Sequence, residues 1–111
     1  MNIQIDFYPE DKMAIFDLLE QKQMEANKPY VVMEGVSAEW KPSFTTKEFG
    51  SQELQTIILT LSGGVTSSVI GAWIYDKIKG RARKIRIERQ EVELQEGQIT
   101  KIIQEKIDIE E

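Results

Sequence analysis

"LQTIILTLSGGVTSSVIGAWIY", Leu54 to Tyr75, is a run of 22 uncharged residues in a chain that is 30% charged. As a helix it would be long enough to cross a bilayer, which takes about 20 residues. Nine of its residues are Gly, Ser or Thr and nine are aliphatic, a more polar mixture than a membrane span usually carries. Thr60, Gly64, Ser68 and Ala72 lie four apart, with Ser67 and Gly71 as a neighbouring pair. Small side chains at that spacing share one helical face and permit a close crossing. The spacing predicts helix, kinked or divided at Gly63 and Gly64, in which Gly64, Ser68 and Ala72 pack closely. Their counterpart is expected to be the protein's own sheet or first helix; the alternatives are another subunit and a membrane span over 54–75.

The flanking sequence favours the buried helix. Ile3, Ile5 and Phe7 alternate with polar residues, the period of a half-buried strand. Pro9, followed by Glu10 and Asp11, suits a helix start and predicts a helix over roughly 9–27, with Met13, Ile15, Phe16, Leu18 and Leu19 as its apolar side. "PYVVMEGV", 29–36, reads as a second strand, and 37–50 as a loop carrying Trp40, Phe44 and Phe49. In "KIRIERQEVEL", 84–94, a turn at Arg89 and Gln90 would pair Ile87 with Val92, Ile85 with Leu94 and Arg86 with Glu93. After Gly97, Ile99, Ile102, Ile103 and Ile107 fall on one face of a final helix. The expected fold is α+β, a small sheet covered by helices in the order β-α-β-α-β-β-α. All these amphipathic faces need cover, which a departing membrane helix would remove.

With 111 residues the chain is expected to form a single domain, 1–111. Apolar residues at 41% and only three Pro are ordinary for a soluble globular protein. The absence of Cys and His removes disulfides, thiol nucleophiles, Ser-His dyads and the usual zinc ligand sets. The carboxylates show no metal-loop spacing, and "SGG" lacks the Lys-Ser/Thr ending of a phosphate loop. No catalytic, cofactor or metal residues are assigned, and the chain is expected not to be an enzyme. "MNIQIDFYPEDKM" has no basic region followed by an apolar core, so the expected location is the cytoplasm.

Charge is unevenly distributed. Lys77, Lys79, Arg81, Arg83, Lys84, Arg86 and Arg89 are half of the 14 basic residues, and with Glu88 they give 77–89 a charge of +6. The remainder carries −11, making up the net −5. Such a segment can dock an acidic protein surface, pair with a second copy or meet a polyanion. Few neighbouring aromatics are present to stack bases, which disfavours nucleic acid. The expected partner is a protein, contacting the basic residues and, as a lesser reading, Trp40 and Phe44. The loop aromatics otherwise serve to anchor the loop on the core.

"FGSQELQTIILTLSGGVTSSVIGAWIYDKIKGRARKIRIERQEVEL", 49–94, resembles the effector-associated constant component family, first class, of bacterial conflict systems. The residues that carry the resemblance are Gly50, Leu54, Leu59, Leu61, Gly63, Gly64, Trp73, the basic run and the strand pair Ile85 to Leu94. The chain departs from the family pattern in having no Gly in the hairpin turn and no Trp at the end of the first helix. The resemblance implies a non-enzymatic adaptor encoded beside, or fused to, protease-like or TIR-like effectors, coupling a sensor or switch to the effector.

Overall fold

A computed structural model describes residues 1–9, 25–41, 46–47 and 53–110. The elements, in chain order, are β1 (Asn2–Pro9), β2 (Tyr30–Met33), β3 (Val36–Trp40), β4 (Thr46–Lys47), β5 (Glu53–Leu61), α1 (Ser67–Ile78), β6 (Ala82–Ile87), β7 (Gln90–Val92) and α2 (Glu96–Glu110). The class is α+β, with more strands than the sequence pattern resolves. Of the expected helix over 9–27, residues 10–24 lie outside the described residues, Pro9 ends β1, and Ala26 and Asn27 form a turn.

The strands form an antiparallel sheet in the order β2-β3-β5-β1-β6-β7, with β4 paired to the start of β5. β5 and β6 both run antiparallel to β1, which lies between them, so they run parallel to each other. Parallel strands need a crossover connection, and α1 supplies it, making β5-α1-β6 a split β-α-β unit.

The uncharged run is therefore not one helix. Its first eight residues belong to a central strand, and its last nine are the first nine of the 12-residue α1. The sequence of β5 is rich in Thr and Ile, whose branched Cβ suits a pleated strand better than a helix. Ile57, Leu59 and Leu61 are buried and alternate with Ile58 and the exposed Thr60. Lack of charge here reflects a strand paired on both edges followed by a helix packed on the sheet. Among the described residues no helix is long and apolar enough to cross a membrane, so the 54–75 span is not formed.

Two other expectations change. The strand over 29–36 is a hairpin, turning at Glu34 and Gly35, and the loop over 37–50 contains β3 and β4. Gly35 has φ +83, and a Cβ there would meet the Ser62 hydroxyl and a Val65 methyl at 2.8 Å. Only glycine fits both the left-handed backbone and the close approach. In the β6-β7 hairpin the turn is at Glu88 and Arg89, with φ +51 and +67, and Ile85 faces Val92, Arg86 faces Glu91 and Ile87 faces Gln90. Paired positive φ values match the twist of a two-residue hairpin, although neither residue is Gly or Asn. The register moves by two residues, which leaves Ile85, Ile87 and Val92 buried as expected.

One face of the sheet carries the core. Ile3, Ile5 and Phe7 of β1 pair across to Leu59, Ile57 and Ile85, and all six are buried. Ile70, Ile74 and Ile78 of α1 and Ile99 and Ile103 of α2 complete the same cluster. Ile102 and Ile107 pack at its margin, so the expected apolar face of the last helix is the observed one.

The two helices touch through small residues. A Cβ on Gly71 would overlap the Thr100 hydroxyl and lie 3.0 Å from the Thr100 Cα. Four residues earlier, the Ser67 hydroxyl donates to Gln104 Oε1 at 2.6 Å. Since Ser67 meets Gln104 and Gly71 meets Thr100, the helices cross antiparallel, and Gly71 sets how closely they approach.

Two outcomes follow from this packing. Gly71→Ala is expected to lower the urea midpoint by the equivalent of up to about 2 kcal/mol, because an overpacking cost of about 1–3 kcal/mol outweighs the roughly 1 kcal/mol gain in helix propensity. Gly63→Ala, where a Cβ meets nothing, should leave the midpoint in place. A more stable Gly71→Ala protein would contradict the crossing. Neighbouring positions in β5 should also differ: Leu59→Asp places an unpaired charge in the core and should abolish the cooperative thermal transition, whereas Ile58→Thr should retain it. Equal loss in both would contradict the strand alternation.

Candidate functional site

The basic segment is the site that the sequence singles out, and the fold divides it among three places. Lys77 is in the last turn of α1, Lys79 caps the helix, and Gly80, with φ +76, turns the chain toward β6. The Arg81 guanidinium donates to the Lys77 carbonyl at 3.0 Å, satisfying one of the carbonyls that a helix end leaves open. Lys79 Nζ lies 3.8 Å from Asp76 and 5.4 Å from the centre of the Tyr75 ring. Along β6, Lys84 and Arg86 alternate with the buried Ile85 and Ile87 and so fall on the sheet face away from the core. Lys84 Nζ is 3.9 Å from Glu91, and the Arg86 guanidinium is 6.0 Å from the Tyr8 ring centre. Arg89 sits at the hairpin tip, about 20 Å along the strand from the helix end at about 3.3 Å per residue. Arg83 lies on β6, on the chain between these groups.

Carboxylates from neighbouring positions enter the same surface. Glu88 accepts from the Gln4 backbone N–H at 2.9 Å and lies 3.9 Å from Lys106 Nζ. Exposed pairs of this kind contribute only about 0–1 kcal/mol each, so they locate the charges more than they hold the fold. What reads as +6 along the chain is thus several separate cations with acids between them.

Of the two aromatic candidates, only Trp40 is among the described residues, and it is half-buried. Trp40 ends β3 and does not lie on a loop; it packs against the core, and its indole N–H donates to Gln55 Oε1 at 3.0 Å. Phe44 and Phe49 lie outside the described residues. The small-residue set is also corrected. Thr60 belongs to β5, Gly64 stands exposed in the turn with φ +92, Ser68 is exposed and Ala72 half-buried. Helical spacing fails because strand, turn and helix interrupt it, and the close contact is made by Ser67 and Gly71 with the last helix of the same chain.

A polar arrangement on the second face of the sheet has no counterpart in the sequence reading. Asp6 is 3% exposed and Thr56, its cross-strand neighbour, 1%. The Thr56 hydroxyl donates to Asp6 Oδ1 at 2.7 Å, and the Gln4 side-chain amide donates to the same oxygen at 3.1 Å. Beside them, Glu39 and Lys41 pair at 2.7 Å and the Thr60 hydroxyl donates to Asn2 at 3.1 Å. Gln4, Glu39, Lys41, Asn2 and Thr60, with Ile58 and Glu88, border a shallow depression of about 400 Å³ that Asp6 and Thr56 do not line. Its polar atoms bond to one another. The alternation of β1 puts Asp6 on this face, but its partner is visible only once Thr56 is known to be in a strand.

Among the described residues no group of three or more acidic side chains is placed to hold a metal ion. Comparison with protein-family models, with curated proteins and with solved structures finds no match to this chain.

The buried carboxylate gives a direct test. Thr56→Val keeps the shape of the side chain but removes a donor from a buried charged acceptor, which should cost about 1–3 kcal/mol. In an Asp6→Asn background the same substitution should cost less, a coupling readable from urea midpoints in a double-mutant cycle. Additive effects would show that the bond contributes nothing.

Proposed function

We propose that this chain is a non-enzymatic interaction component of a bacterial defence or signalling system, an adaptor that couples a sensor or switch to a protease-like or TIR-like effector. The reading rests on the resemblance carried by 49–94, and one observation supports it. Among the described residues, the polar side chains of Asp6, Thr56, Ser67 and Gln104 are used in bonds that join strand to strand or helix to helix. Their engagement fits a body that presents a surface.

Exposed cations are the part of that surface most suited to contact an acidic protein. Lys79, Lys84 and Arg89 are exposed, whereas Arg81 caps α1 and Arg86 lies over Tyr8. Charges at the rim of an interface chiefly set the association rate and its salt dependence. The acidic balance of the other residues opposes a long phosphate chain, which ranks polyanion binding second.

Co-expression with the effector encoded beside it should give a complex that survives size-exclusion chromatography. The variant Lys79→Glu, Lys84→Glu, Arg89→Glu should still fold cooperatively, with a lowered melting temperature because the contacts of Lys79 with Asp76 and of Lys84 with Glu91 become repulsive. It should associate at least several-fold more slowly and lose most of its salt dependence. Separate elution of the two wild-type proteins would count against the adaptor reading. A DNA or RNA shift by the wild-type protein alone, weakening steeply with salt through counterion release and absent in the variant, would replace it with the polyanion reading.

A further inference from the structure

We draw no further inference here: the strongest candidate, the surface where the turn from Ser62 to Thr66 meets the first turn of α1 beside the half-exposed Val69, amounts to a glycine-rich turn at a helix N-terminus, and nothing in the structure shows what covers it.

Discussion

The pairing of β1 on both of its edges is the constraint on which the rest depends. The first strand of the chain is a central strand of the sheet, bonded to β5 on one side and β6 on the other. Neither neighbour is close in sequence: Ile5 pairs with Ile57 and with Ile87. Ordering β1 therefore requires two long chain closures, and the burial of Ile3, Ile5 and Phe7 must offset their entropy. Folding should be slow relative to a helical protein of this size, since the pairings that hold the central strand are non-local. The same arrangement dictates the crossover by α1, because β5 and β6 are parallel strands that no short turn could join.

α2 packs against α1 and against the same core cluster. α1 brings Ile70, Ile74 and Ile78 to the sheet and leaves Ser67 and Gly71 toward the second helix. The missing side chain at Gly71 allows Thr100 to approach, and the Ser67 hydroxyl finds Gln104, whose amide in turn donates to Asp108 at 2.8 Å. Small residues that resemble a subunit interface in sequence are thus used within the chain. Among the described residues the two helices lie closely apposed on one face of the sheet, and the other face carries the buried polar pair Asp6 and Thr56.

What the sequence made legible follows from how local each signal is. The alternation of Ile3, Ile5 and Phe7 and the spacing of Ile99, Ile103 and Ile107 each lie within one element, and both faces are as expected. The hairpin face was legible and its register was not, because a shift of two residues preserves the face while the turn residues Glu88 and Arg89 carry no glycine signal. The run from Leu54 to Tyr75 misleads because uncharged character marks burial and not conformation. The branched residues Thr56, Ile57, Ile58 and Thr60 held the strand signal, and the regular spacing of Thr60, Gly64, Ser68 and Ala72 masked it. The basic run was plain as composition. Its division among a helix end, a sheet face and a hairpin tip depends on alternation and turn geometry that only the folded chain supplies.

The measurement that tests this account most directly is the backbone carbon chemical shifts of Leu54 to Leu61, read with amide exchange over the same residues. The central position of β5 predicts strand-type shifts, with Cα moved upfield and Cβ downfield, and amides from Thr56 to Thr60 among the slowest to exchange. Helical shifts continuing from Leu54 through Ile70, or rapid exchange throughout β5, would contradict the sheet order and with it the placement of every candidate residue on the surface.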